Sequence, residues 1–300
     1  MSKTLGKKAG YSKRDLKAYY YIAPWLIGFA ILQLYPFISS LIYSFADYSI
    51  GSKPDFIGFG NYIKLFTKDK EFWTSLRVTI VFALMTVPGK IILALAVAIF
   101  LNRDIRGINL IRTLYYIPSL FGGSVAIAIL WKLMFLDNGP INAVLTALRL
   151  PNVQFLGSTT WALPTICLLE IWQFGSSMVM FLAALKNVPK SLYEAAEIDG
   201  AGKTKRFWHI TLPQISPIIF FTVLNQTIQA LQNFTSADVI TEGGPLKSTY
   251  VLGMKLYREG FGYFKMGYAS AISWIVFTVI LMFTVVLFAS SKLWVHYADE

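Results

Sequence analysis

The stretch Lys190–Pro217 reads KSLYEAAEIDGAGKTKRFWHITLPQISP, and it separates two apolar runs each long enough to cross a bilayer. It is too polar to span and too regular for a plain linker. Ser191, followed three residues later by Glu194, has the spacing of a capping box and predicts a short helix beginning there. Ala195 and Ala196 continue that helix, and Gly200 or Gly202 can end it in a left-handed conformation. A second helical stretch is expected from about Lys203 to Ile210, leading to Pro213. The segment reads as a helix–Gly–helix elbow, against the plainer reading of an interfacial hairpin packed on its own bundle.

Outward from this loop the chain is apolar. Of its 300 residues 55% are hydrophobic and only 14% charged, too few charges to coat a soluble globule. Mean hydropathy is +0.55. Aromatic residues make up 16%, in keeping with rings gathered at membrane interfaces. Low charge and high hydrophobicity exclude a disordered chain. The single cysteine, Cys167, excludes a disulfide framework or a cysteine-based zinc site. The net charge of +11 would suit a nucleic-acid binder if it clustered on one face, but the cations sit between apolar runs. The class is a polytopic, all-α membrane protein.

Six runs can cross the bilayer: Ile22–Tyr43, Val78–Leu101, Leu114–Phe135, Trp161–Leu185, Ile215–Phe234 and Tyr268–Leu293. Prolines 24, 36, 88, 118 and 164 fall in or beside them, as membranes tolerate when neighbouring helices satisfy the freed carbonyls. The first run is too long for a cleavable signal peptide and lacks a small-residue cleavage site, so it is expected to remain as an anchor. Cations gather on alternate connections. Lys3, Lys7, Lys8, Lys13, Arg14 and Lys17 lie in the N-terminal arm, and Arg103, Arg106 and Arg112 between the second and third runs. Lys186, Lys190, Lys203, Lys205 and Arg206 lie between the fourth and fifth, with Lys292 towards the tail. The short 137–160 loop on the other side carries only Arg149. Both termini and the elbow are therefore expected in the cytoplasm, with the chain multi-pass in the membrane. No internal repeat is visible. The expected organisation is a cytoplasmic arm (1–21), one membrane domain (22–293, with the elbow loop at 190–213) and a cytoplasmic tail (294–300).

Gly202-Lys203-Thr204 has the ending of a phosphate-binding P-loop. The full motif needs a glycine five residues before its last glycine, at the end of a strand. Glu197 stands there, within a predicted helix, and its charge would repel phosphate. ATP binding by this chain is not expected, and no cofactor or metal is expected in it.

Glu194-Ala195-Ala196, Asp199-Gly200-Ala201 and Ile210-Thr211-Leu212-Pro213, taken together, resemble the EAA loop of binding-protein-dependent ABC importer permeases. The likeness extends over almost the whole chain and is to the carbohydrate-uptake branch, with its maltose-type permeases. Phe56-Ile57-Gly58-Phe59-Gly60-Asn61-Tyr62 resembles the segment after the first helix of that branch. Trp131, Gly139 and Asn142, then Gly243-Gly244-Pro245, then Gly267, Ala269, Ser270 and Ala271 fit in order. The resemblance implies a type I permease fold in the inner membrane of a bacterial or archaeal cell, and because the extra N-terminal helices and large external domain of the maltose permease are not found in this sequence, a plain six-helix member is expected. It also implies a second homologous permease subunit, making a heterodimer, two cytoplasmic ATPase subunits that bind ATP and Mg, and an extracytoplasmic solute-binding protein. Glu194, Ala195, Ala196, Asp199 and Gly200 would then form the ATPase-coupling segment. Glu194 would meet a basic group, and Gly200 would allow a sharp turn.

Polar side chains inside apolar spans mark a pathway or a partner helix. Gln226, Gln229 and Asn233 share one face of the fifth run, with Asn225 and Gln232 beside it. Glu170, Gln173 and Ser177 recur at similar spacing in the fourth, with Trp161, Trp172 and Phe174 nearby. Amides, a carboxylate and aromatic rings suit a sugar, which needs hydroxyl partners and flat faces to stack on. The resemblance places solute contacts on the same two helices. The competing reading is interhelical hydrogen bonding. Lys90 could pair within the bundle and Lys132 could snorkel, while His209 is expected to pack on the surface. Two other functional classes fit the sequence less well. An ion-coupled secondary transporter would show repeats and buried acids, for which Glu170 is the only good candidate. An intramembrane enzyme lacks a catalytic constellation here.

Overall fold

The computed structural model describes residues 13–103 and 106–296. The arm cations Lys3, Lys7 and Lys8 lie outside them. Among the described residues the chain is almost wholly helical, with one two-stranded antiparallel ribbon pairing Ala46 with Phe56 and Asp47 with Asp55.

Four helices are individually long and apolar enough to span: Tyr20–Ser44, Lys70–Leu101, Lys203–Leu231 and Met266–Trp294. The other two spans are bent pairs. The third run is Ile108–Leu120 followed by Val125–Met134, turned through 101°. It is therefore not the straight span expected from its hydropathy. Pro118 sits in the last turn of the first half, and Gly123 takes φ +71° in the break. The fourth is Ala162–Trp172 followed by Gly175–Asn187, bent by 45° at Gln173 and Phe174. Hydropathy averages over such breaks, because most residues in them are apolar or small and the one large polar side chain, Gln173, is flanked by long apolar runs.

The first helix begins at Lys13 and continues through a π turn, Ala30–Leu34, into Tyr35–Ser44. The fifth span likewise begins at Lys203 and passes a π turn, Phe207–Thr211, into Leu212–Leu231. The expected separate second helix of the elbow is thus the foot of the fifth span. Each π turn ends two residues before a proline, Pro36 or Pro213. Proline offers no N–H and crowds the carbonyl four residues back, and a widened turn relieves both.

The second span is the central post of the bundle. It packs against both halves of the fourth span and against Leu212–Leu231. Phe82, Ala94, Ala98 and Leu101 on it meet Ile166, Met178 and Phe181 in the main core, all of them fully buried. The sixth span packs on Tyr35–Ser44 and on Leu212–Leu231. Gly267 lets the sixth span approach the end of the first helix and the ribbon that follows it, since a Cβ there would run into the carbonyl of Ala46 and lie 3.1 Å from that of Tyr43.

Several segments that carried the sequence resemblance serve as pins. Asn61, nearly buried, donates to the carbonyls of Ser44 and Ala46 at 3.0 and 2.9 Å, and Tyr62 donates to Ser44 Oγ. Asn142 donates to the Val153 carbonyl and accepts the Val153 N–H, both at 3.0 Å, closing the 136–153 loop. Trp131 Nε1 donates to the carbonyl of Thr165, holding the third span on the fourth.

Candidate functional site: the coupling loop and the polar faces of the fourth and fifth spans

A short helix, Lys190–Ile198, leads the loop. It begins two residues earlier than the capping box requires. Pro189 takes the N-cap position and no side chain caps the helix, so the expected Ser191–Glu194 box does not form. Ser191 is already inside the first turn, and Glu194 is left free and exposed. The C-terminus follows expectation at Gly200, which has φ +72°. Its N–H bonds the Glu197 carbonyl at 3.1 Å, and the Ala201 N–H bonds the Ala196 carbonyl at 2.8 Å. This is the paired closure of a Schellman motif, and it satisfies carbonyls a helix end would otherwise orphan.

Burial divides the helix into two faces. Ser191, Glu194, Ala195 and Ile198 all point out, and their spacing places them on one side. Asp199 and Gly200 are exposed at its end, while Ala196 is half-buried towards the chain's own bundle. Ile198 is 88% exposed, a large apolar side chain the sequence reading passed over. The available signal was its position four residues after Glu194. Tyr193 faces inward and packs against the core with Ile210.

In the spans, the structure joins four of the six polar residues singled out. Asn233 Nδ2 donates to Glu170 Oε1 at 3.0 Å, and Ser236 Oγ donates to Asn233 Oδ1 at 2.9 Å. Gln226 Nε2 donates to Ser177 Oγ at 3.4 Å. These contacts tie the fourth span to the fifth and to the turn beyond it: the fifth helix ends at Leu231, so Asn233 does not continue the face of Gln226 and Gln229 as the sequence spacing suggests. Gln229 is not joined to them: it is exposed and makes no side-chain hydrogen bond among the described residues. Gln173 is buried at the break in the fourth span, facing the Gly122 backbone of the third. Gly175 beside it lies so close to Tyr115 and Tyr116 that a Cβ would meet their backbone within 2.8 Å. Next to this crossing opens a cavity of about 490 Å³, lined by Ile111, Leu114, Tyr115, Pro118, Trp172 and Phe174.

Lys132 does not simply snorkel; it pairs with Glu242 at 3.8 Å. Lys90 is buried and makes no ion pair among the described residues. His209 Nδ1 donates only locally, to the Lys205 carbonyl at 3.0 Å. At the end of the bundle opposite the coupling loop lies a charged cluster the sequence reading missed. Lys255, 1% exposed, pairs with Asp69 at 2.7 Å and Glu259 at 3.4 Å. Asp69 also accepts from Tyr268 Oη at 2.6 Å and caps Lys70–Leu101 through the Phe72 N–H. One carboxylate thus joins the second span, the sixth span and the helix Leu252–Tyr257. The usable sequence signal was an Asp just ahead of a long apolar helix.

Straight and bent spans, with a short glycine-closed helix projecting from one end, define a polytopic helical membrane protein. Residues 57–297 match the family described as the binding-protein-dependent transport system inner membrane component, and the chain belongs to that family. It is a permease subunit of an ABC importer. The chain is 43% identical to the probable ABC transporter permease protein YesP of Bacillus subtilis (strain 168), over 98% of this chain and 96% of that one. It is 36% identical to the sulfoquinovosyl glycerol transport system permease protein SmoG of Agrobacterium fabrum (strain C58 / ATCC 33970), covering 88% and 87% of the two chains. Among solved structures it resembles a chain of a bacterial alginate ABC transporter in complex with an alginate pentasaccharide-bound periplasmic protein. That likeness has a TM-score of 0.79 at 25% identity, over 93% of this chain and 95% of the other.

Proposed function

We propose that this chain forms half of the translocation path for an oligosaccharide or related sugar. It would pair with a second homologous permease and couple to two cytoplasmic ATPase subunits through Lys190–Ile198. The observation that carries the reading is the coupling helix itself. It is closed by Gly200, and it presents Ser191, Glu194, Ala195 and Ile198 outward, with no side-chain hydrogen bond or ion pair from them among the described residues. A short helix with one apolar knob and one carboxylate on its free face fits a cleft on another subunit, where a buried aliphatic anchor and a paired charge supply most of the binding. An extracytoplasmic binding protein would deliver the solute at the opposite end.

The sugar class is supported by the amides and rings of the fourth and fifth spans and by the solutes named for SmoG and the alginate transporter. Family membership sets aside the ion-coupled alternative, and Glu170, its one candidate acid, is occupied by Asn233. The hydrogen bonds divide the six path residues by role. Glu170, Asn233, Gln226 and Ser177 hold the two helices together, whereas Gln229 is free to meet a solute. Gln173 sits where the third and fourth spans cross. Gln229→Leu is expected to leave complex assembly intact and lower uptake. Asn233→Leu is expected to lower the yield of assembled complex, since it strips Glu170 of its partner inside the bundle. Uptake of candidate sugars alongside size-exclusion of the purified complex separates the two. Full uptake by Gln229→Leu would remove that residue from the path.

The orientation follows from the cationic loops: arm 1–21, coupling loop and tail 294–300 in the cytoplasm, residue 60 outside. In a Cys167→Ser background, a single cysteine at position 60 should react with an impermeant thiol reagent in right-side-out vesicles, and one at 205 only after permeabilisation. Labelling of 205 in sealed vesicles would reverse the topology.

A further inference from the structure

We propose that Tyr193 and Glu197 lash the coupling helix to the foot of the fifth span through Thr211 and Arg206, and that the π turn Phe207–Thr211 is what allows both ties at once. This rests on the coupling role proposed above for Lys190–Ile198.

Tyr193 Oη and Thr211 Oγ1 are 2.8 Å apart, and Thr211 is almost fully buried. Glu197 Oε2 accepts from Arg206 Nη1 at 3.0 Å, with the arginine side chain mostly covered. On the coupling helix the two side chains that make these ties, Tyr193 and Glu197, are four residues apart and share one face. On the fifth span their partners are five residues apart. At 3.6 residues per turn, positions five apart point about 140° away from each other, so a regular α-helix could satisfy only one tie. The wider turn at Phe207–Thr211 lies between Arg206 and Thr211 and swings them back towards a common side. The Gly200 closure sets the two helices facing each other, and Tyr193 and Ile210 fill the space between them.

The other end of the coupling helix is built differently. Val188 is extended at φ −67°, ψ 124°, and Pro189 has no N–H to offer. Among the described residues, no side-chain hydrogen bond or ion pair links Lys190–Ile198 to Gly175–Asn187. The fourth span is therefore hinged to the coupling helix, and the fifth is fastened to it. Displacement of the coupling helix moves the fifth span as one body, carrying Gln226, Gln229 and Asn233 with it, while the fourth follows through Val188 and Pro189.

The test uses the full complex, with nitroxide labels at Lys190→Cys and Phe221→Cys in the Cys167→Ser background. Distances are read by electron–electron double resonance in nucleotide-free and vanadate-trapped states. A single 190–221 distance common to both states is expected. In Tyr193→Phe combined with Arg206→Gln a second, untied component should appear. For the Tyr193→Phe change alone its share relative to the tied component should rise by about 5-fold, the factor for one net hydrogen bond of about 1 kcal/mol. Thr211→Ser should behave as the parent, and Thr211→Val as Tyr193→Phe. An unchanged distance distribution in the double variant, with ATPase still co-purifying, would overturn the ties and leave the coupling role standing. A parent distance that shifts between states would also overturn them. Failure of the parent to retain ATPase at all would instead remove the coupling role.

Discussion

Gly200→Val is expected to reduce co-purification of the ATPase subunits by roughly 5- to 30-fold, or to leave them attached but uncoupled from uptake. Gly200 has φ +72°, and nothing lies within 4 Å of the position its Cβ would take. A side chain there meets no steric obstacle beyond its own backbone. The penalty is conformational: about 1–2 kcal/mol for an L-residue held left-handed, which corresponds to that range in an equilibrium. If valine relaxes to negative φ instead, the bonds from Gly200 to Glu197 and from Ala201 to Ala196 are lost, and the chain leaves the coupling helix in another direction. Gly200→Asn should be milder, because asparagine tolerates this conformation. Glu194→Gln should also be milder. With no capping bond to lose, it reports only on the charge offered to a partner. Membrane insertion should be unchanged in all three. Pull-down of the ATPase followed by uptake assays makes the measurement, and normal attachment and transport in Gly200→Val would withdraw the coupling assignment.

The largest loss of stability is expected from Lys255→Met. It would leave Asp69 with its Tyr268 and Phe72 bonds but without its buried counter-charge, next to Glu259. Removing one member of a buried pair costs about 3–5 kcal/mol, far above the loss at an exposed one. Lys247 with Glu71 is such an exposed pair, and Lys247→Met should cost under about 1 kcal/mol. Thermal unfolding of the detergent-solubilised protein compares the two, and equal midpoints would mean that Lys255 anchors nothing. The cluster also has a pH signature. Burial pushes the Asp69 carboxyl upward, but the bonds from Lys255, Tyr268 and the Phe72 N–H outweigh it and hold it below the usual carboxylate range. A depressed folded-state value means that the contribution is complete above the ordinary carboxylate range. It is lost as pH falls through the lowered one. Acid unfolding of the wild type should therefore show a component that is absent from Asp69→Asn.

Much of the coupling loop was legible because its determinants are local. A helix of good formers stops at a glycine whose backbone angles other residues resist, and that logic needs no neighbours. The N-cap of the same helix lies two residues before the one its spacing suggests. Ser191 and Glu194 satisfy the spacing of a capping box, but Pro189 already has the right φ, and the helix begins behind it. The motif segments at 56–62, 139–142 and 267–271 were legible as family marks without their purpose. In the fold they are backbone pins and close approaches, Asn61 on Ser44 and Ala46, Gly267 on Ala46. Glu170 and Asn233 were read together as a pathway from their helical faces. Their mutual hydrogen bond was not readable, because it depends on which helix lies beside which.

The amino-acid sequence alone determined that this protein is a six-span, all-helical membrane subunit with a short glycine-closed helix between its fourth and fifth spans. Those properties follow from transfer of side chains out of water and from the allowed angles of single residues, both carried by each segment on its own. Only the tertiary structure decided that the third span turns through 101° and that the fifth begins at Lys203. It alone decided that Lys255 is buried among carboxylates, and that Tyr193 reaches Thr211. Each of these is a pairing between residues distant in sequence. A charge or hydroxyl in a low-dielectric bundle settles where a partner is found, and the packing of the helices determines which partner that is.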